Sequence, residues 1–312
     1  KYSGLEMPPD QKLPPQVIAD FEKWITDGAF DPRDGDILIK KQGLSIEEGK
    51  NFWSFIPPKK FELPKVRQND WPSDPIDFFI LSKMENQKLT PSPMAKGGTL
   101  VRRLYYDLTG LPPTEIETAN FLKAFSENPA KAKLDLVDSL LSSHHFGEKW
   151  GRLWLDVARY ADSNGKDRNI YNFHAWRYRD YVIDSFNRDI PFDRFVKEQI
   201  AGDLLPAHSR KERDRNLIAT GFLSLGSKSF EELKPEVFRM DVIDEQIELV
   251  SRSVLGLSVG CARCHNHKFD PIPTADYYSM AGIFRSTQPL YGYSPKGIKA
   301  TAFAHTELQA IG

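Results

Sequence analysis

The chain contains two cysteines, and both fall in one short segment, Cys261-Ala262-Arg263-Cys264-His265. A step of three residues sets two thiols about one helical turn apart on the same side. Thiols so placed can add to the two vinyl groups of a porphyrin, and a histidine directly after the second can reach the iron from below the ring. The segment is therefore expected to attach one haem c through Cys261 and Cys264, with His265 as the proximal iron ligand. The stretch before it, Val254 to Gly260, is apolar and contains glycine, which suits packing against a flat macrocycle. Two other chemistries use the same residues. A zinc ion could take Cys261, Cys264, His265 and His267, but structural zinc sites usually draw their ligand pairs from separate loops. A thioredoxin-like redox pair needs a βαβ setting, whereas this segment follows a long helix-forming stretch.

The spacing does not fix the far side of the iron. His267 stands two residues beyond His265 and on a helix would point almost the opposite way. It is expected to touch a propionate or a neighbouring group rather than the iron. Candidates for the distal ligand are Met240, Met280, His144, His145, His174 and His208, or the position stays open, which would favour catalysis. A packed core thioether is the plainer account of the methionines, and an exposed loop of His144 and His208. Arg159 and Arg177 are candidates to pair with haem propionates, because the guanidinium fork matches a carboxylate. A salt-bridged helix surface explains either arginine equally well. Tyr160 with Asp162 is the pair best suited to a substrate-facing acid or radical role. Glu198, Gln199 and Asp203 fit either polar packing or a site, and Glu231-Glu232 reads as a solvated charge pair.

The elements that must position these residues are read from patterning. The 312 residues are 40% hydrophobic and 27% charged, with a formal net charge of −1. That balance gives no electrostatic reason to expect nucleic acid or an anionic membrane surface as partner. No apolar stretch approaches a membrane span, the sequence shows no N-terminal signal peptide, and the chain is expected to be a processed or excised piece of a longer protein. Val17, Ile18, Phe21, Trp24 and Ile25 make one helical face closed by Gly28. Residues 31–72, with Pro57, Pro58, Pro64 and Pro72, read as an extended linker lying over the next domain, with one or two strands at runs such as Ile37–Ile39 and Phe52–Phe55. From residue 74 the pattern is helical. Asp74-Pro75 starts one helix, Thr99 to Leu108 forms a second, and Thr114 with Glu117 caps a third. Others are expected near 131–142, 146–161, 173–187, 192–202, 210–223, 236–258 and 274–285.

Cys261-Ala-Arg-Cys-His-Asn-His-Lys-Phe-Asp-Pro-Ile-Pro-Thr-Ala-Asp-Tyr-Tyr278 resembles the signature of the second planctomycete cytochrome-associated domain. Leu104-Tyr-Tyr-Asp-Leu-Thr-Gly-Leu-Pro-Pro-Thr114, Trp154-Leu-Asp-Val-Ala-Arg-Tyr-Ala-Asp-Ser163, Trp176-Arg-Tyr-Arg-Asp-Tyr181 and Glu198-Gln-Ile-Ala-Gly-Asp-Leu-Leu-Pro206 resemble further blocks of that family, in its order. Where relatives are expected to show histidine before Trp154, this chain has Leu153, which cannot ligate iron. Met7-Pro8-Pro9, followed by a helix ending Trp24-Ile25-Thr26-Asp27-Gly28-Ala29, resembles the tail of a small cytochrome c domain, in which the methionine is the distal ligand. Met7 would then serve a haem in a missing segment, serve the haem of this chain, or be structural.

These readings give a mainly α protein: residues 1–30 as a cytochrome c tail, 31–72 as linker, 73–290 as a multi-helix haem c domain, and 291–312 as a loop leading onward. The haem is expected between the helix ending near Gly256 and that starting near Thr274. The motif and the resemblance together imply a periplasmic or secreted protein. Electron transfer with a redox partner, or with a cytochrome c domain of the parent chain, is the leading functional expectation. A haem oxidoreductase acting on sugars or polymer-derived substrates, and a structural haem or metal, are the alternatives.

Overall fold

The computed structural model describes residues 13–29, 44–166, 170–230, 232 and 234–290. Met7, Ile37–Ile39, Glu231 and 291–312 lie outside them. The described residues form twelve α-helices and no strand, with one isolated antiparallel bridge between Ser163 and Tyr171. The mainly α expectation holds.

The chain divides into two units, Lys1–Leu44 and Ser45–Gly312. The first contains α1 (Pro15–Thr26), whose end is followed by Gly28 at φ 98°, a left-handed position that glycine adopts without a Cβ clash. The second opens with α2 (Ile46–Lys50), a feature the sequence reading missed. Ser45 Oγ accepts from the Glu48 amide at 3.2 Å while the Glu48 carboxylate accepts from the Ser45 amide at 2.7 Å. Phe52–Phe55, read as a strand candidate, includes a single 3-10 turn over Trp53–Phe55, and extended proline-containing chain follows. Among the described residues no strand edge stands there to pair with it. Gly49 is buried, and a Cβ on it would fall within 2.3 Å of the Pro271 ring, so α2 rests on the loop that follows the two cysteines.

Helices α3 (Pro75–Asn86), α4 (Gly97–Thr109), α5 (Glu115–Glu127) and α6 (Pro129–Leu141) follow. The expected caps are present: Asp74 Oδ1 accepts from the Ile76 amide at 2.7 Å, and Thr114 and Glu117 cap each other at 3.2 and 2.7 Å. Val101, Phe121 and Ala132 of α4, α5 and α6 share a small core of their own.

The main core is built from α7 (His144–Val157), α8 (Ala175–Asn187), α9 (Phe192–Ala201), α10 (Arg210–Ala219), α11 (Pro235–Val250) and α12 (Thr274–Arg285). Tyr178, Val182, Phe222, Ile247 and Tyr277 are all but fully buried in it. Each such side chain contributes roughly 1.5–3 kcal/mol by leaving water. Among the helix ends that differ from expectation, two lie beside candidate site residues. α7 stops at Val157 because Arg159 takes φ 55°, so Tyr160 and Asp162 lie beyond the helix rather than on it. α11 ends at Val250 and runs into one π-turn, Ser251–Leu255, closed by Gly256 at φ 67°. π-turns frequently mark functional sites.

Candidate functional site

The two cysteines sit on a 3-10 turn, Val259–Arg263, with Cys264 as its C-terminal cap. With three residues per turn, side chains at i and i+3 eclipse. Accordingly Cys261 and Cys264 are both exposed free thiols, while Ala262 between them is fully buried in the main core. Core packing of Val259 and Ala262 turns both sulfurs outward.

Carboxylates of α11 hold the turn in place. Arg263 Nη1 reaches Asp244 Oδ2 at 3.1 Å, the buried Tyr277 donates its hydroxyl to Asp244 Oδ1 at 2.7 Å, and the Gly260 amide donates to Glu248 Oε2 at 3.2 Å. Burial and the Asp244 carboxylate push the Tyr277 phenol well above the usual tyrosine range. The Tyr278 hydroxyl donates to the Arg263 carbonyl at 3.1 Å. Farther along, Asn266 Oδ1 accepts from the Thr274 amide at 3.0 Å, which fastens the loop to the start of α12.

His265 is exposed, and its Nδ1 lies 2.8 Å from the Asn266 carbonyl oxygen. A carbonyl only accepts, so Nδ1 carries the proton and Nε2 keeps a free lone pair. His267 is arranged differently. Its Nδ1 accepts from the Phe269 and Asp270 amides at 3.2 and 2.8 Å, and its Nε2 lies 3.1 Å from Ser258 Oγ. Both nitrogens of His267 are committed to folding its own loop, which is not helical. Among the described residues, no three of Cys261, Cys264, His265 and His267 bring ligand atoms within 4.8 Å of one another, which counts against a shared zinc ion.

The donor set fits a covalently attached haem: two exposed thiols three residues apart and an adjacent imidazole with Nε2 available. The exposed apolar side chains Leu255, Phe269 and Tyr278 stand on the segments flanking the turn. Cys261, Cys264 and His265 would hold the group.

The other candidates fall elsewhere. Met240 and Met280 pack against the main core. His174 is exposed at the start of α8, His208 is exposed ahead of α10, and Leu153 is about half exposed on α7. The Arg177 guanidinium lies over the Trp176 ring at 4.8 Å. Arg159 turns inward, where Nη2 lies 2.9 Å from Glu245 Oε1 and donates to the Glu245 carbonyl oxygen at 2.9 Å. The contact to Oε1 is an ion pair by distance alone, since neither buried carboxylate oxygen of Glu245 has a hydrogen bond. Arg159, the candidate propionate partner, is thus engaged by Glu245. Glu198 and Gln199 are core residues. Glu198 takes Tyr181, Arg194 and Arg215 at 2.9, 2.7 and 2.6 Å, and Gln199 Oε1 takes Trp154 and Tyr178 at 2.8 and 2.5 Å. Asp203 is exposed.

The structure brings Tyr160 and Asp162 together: the phenol donates to Asp162 Oδ1 at 2.7 Å, and burial followed by that carboxylate raises its pKa strongly. Asp162 lines an open cleft of ≈ 380 Å³ with Tyr171, Asn172, Phe173 and Trp176. The segment that follows Asp162 is tied to a charge the sequence reading missed. Lys228 is buried and donates to the Ser224 and Gly226 carbonyls at 2.6 and 2.7 Å. Burial lowers its amine to about 8, partly offset by Glu245, whose carboxyl burial pushes up. The Lys228 amide donates to the Asn164 carbonyl at 3.1 Å and the Lys228 carbonyl accepts from the Asn164 side-chain amide at 2.9 Å, which ties Lys228 to the segment after Asp162.

The model of a planctomycete cytochrome-associated domain family, PSCyt2, described as a protein of unknown function (DUF1549), matches residues 75–289. No curated protein and no solved structure matches the chain.

Proposed function

The chain belongs to this planctomycete cytochrome-associated family, and from that premise we propose that it is an exported electron-transfer module carrying one haem c on Cys261, Cys264 and His265. One observation carries the reading: two exposed thiols three residues apart stand beside an imidazole whose Nδ1–H is fixed by the Asn266 carbonyl, leaving Nε2 available. A carbonyl acceptor on the far ring nitrogen orients the ring and raises the basicity of the ligating one. Asp244 and Glu248 keep the turn against α11, so the attachment points stay fixed. A bound haem would supply a one-electron couple, tuned by its axial ligands and burial. Haem c attachment belongs to the far side of the cytoplasmic membrane, which places the proposed protein in the periplasm or outside the cell. Among the described residues no helix is long and apolar enough to cross a membrane. The partner would be another redox protein or a cytochrome c domain of the parent chain.

The test is expression with the haem-attachment machinery, followed by intact mass and a pyridine haemochrome spectrum on acetone-extracted protein. Wild type should gain one haem mass and a c-type spectrum, both lost in Cys261→Ser/Cys264→Ser. Haem-free wild type holding zinc, or free thiols alone, sinks the reading.

The cleft beside Tyr160 and Asp162 favours a second reading, a haem-dependent oxidoreductase acting on sugars or polymer-derived substrates. Sugar-dependent reduction of the iron, abolished by Asp162→Asn, would select it. Its absence from wild type leaves electron transfer.

A further inference from the structure

The start of α7 groups donors that the haem motif does not use. His144, His145 and Glu148 each offer one ligand atom, and these atoms all lie within 4.8 Å of one another. The two imidazole rings are 3.8 Å apart between centroids, and His145 Nδ1 lies 2.7 Å from Glu148 Oε2. We propose that His144, His145 and Glu148 form a binding site for a divalent transition-metal ion of the zinc type.

The geometry needs little change. Two ligands about 2.0–2.1 Å from a tetrahedral zinc stand roughly 3.3 Å apart. The His145–Glu148 pair therefore opens by about half an ångström, and its proton moves from Nδ1 to Nε2 to free the lone pair. The i,i+3 spacing puts these two on one helical face. His144, at the first position of α7 and exposed, swings in from beside them.

The turn that carries the ligands is held from outside. Asn187 of α8 accepts from the Gly147 amide at 2.8 Å and donates to the His144 carbonyl at 3.2 Å. Gly147 lies so close to α8 that a Cβ would fall 2.4 Å from the Ile183 carbonyl oxygen. A helix start carries partial positive charge that opposes a cation. Here the His145 amide is occupied by Ser143 Oγ at 3.3 Å and the Gly147 amide by Asn187, while Glu148 supplies an anion. Two imidazoles and a carboxylate suit zinc, nickel or copper better than magnesium or calcium, which prefer oxygen. With three protein donors, and His144 and Glu148 both exposed, the remaining positions fall to water or a ligand.

Zinc titration of the full chain by calorimetry tests the site. Wild type and Cys261→Ser/Cys264→Ser should bind one ion alike, since the loop thiols take no part. His145→Ala and Glu148→Gln should each weaken binding at least roughly tenfold, the lower end of what even ligand-supporting residues contribute. Glu148→Gln changes an exposed side chain and keeps its size, so it reads the site should His145→Ala fail to fold. No uptake by wild type, or uptake lost only with the cysteines, overturns the proposal. So does binding unchanged in Glu148→Gln and His144→Ala, which would leave His145–Glu148 a surface ion pair.

Discussion

Arg263, one of the two residues between the cysteines, reaches Asp244 on the preceding helix at 3.1 Å. The same carboxylate accepts from the fully buried Tyr277 of α12, so one side chain ties the motif to both helices that flank it. Asp244→Ala should therefore destabilise the chain by about 1–3 kcal/mol, because a buried hydroxyl loses its acceptor. Urea unfolding reads this directly. Asp244→Asn keeps an oxygen for Tyr277 and should recover part of the loss.

Glu198 is buried and joins Arg194, Arg215 and Tyr181 across three helices. Removing one member of such a network strands the others' charge, which costs roughly 3–5 kcal/mol when the pair is buried. Arg194 remains partly exposed, so Glu198→Ala should fall at the lower end of that range. A loss under about 1 kcal/mol, the value of an exposed pair, would show that the network contributes little.

Lys228 makes stability depend on alkaline pH. Its folded amine titrates at about 8 against an ordinary 10.5, so the folded chain binds fewer protons than the unfolded one between those values. Stability should then rise with pH through that window, with the full burial penalty present below about 8. Glu245 has the opposite sign: its raised carboxyl adds stability that is present below the ordinary 4.5 and is lost as pH climbs through its folded value. Melting temperature against pH should show the alkaline rise in wild type and not in Lys228→Met. Equal slopes in both would refute the assignment.

Gly147 and Gly98 should respond oppositely to alanine. A Cβ at Gly147 meets the Ile183 carbonyl and Asn187, whereas at Gly98 on α4 it meets nothing within 4 Å. Gly147→Ala should lose about 1–3 kcal/mol through overpacking, and Gly98→Ala should gain roughly 0.5–1 kcal/mol from helix propensity. Thermal melts of the two variants check both signs.

Most helices were legible because their signals are local. Asp74-Pro75 and Thr114 with Glu117 announce helix starts, and the apolar spacing of α7, α8 and α9 repeats at the helical period. α2 is equally announced by Ser45 and Glu48, but at five residues it is too short to carry an apolar period of its own, and prolines follow it. The positive φ of Arg159 gave no warning, since nothing in its side chain favours a left-handed backbone.

The sequence by itself determined the mainly helical class, the family blocks and the thiol–thiol–imidazole set, because each depends on residue type and on spacing along one segment. Tertiary packing decided which way those groups face. Burial of Ala262 turns Cys261 and Cys264 outward. Packing also took Arg159 inward to Glu245, made Glu198 and Gln199 core residues, and tied Lys228 to the segment after Asp162. The Tyr181–Glu198, Trp154–Gln199, Asn164–Lys228 and Arg159–Glu245 pairs lie from 17 to 86 residues apart along the chain. A pairing at that distance is set by the shape of the whole core, which no local pattern encodes.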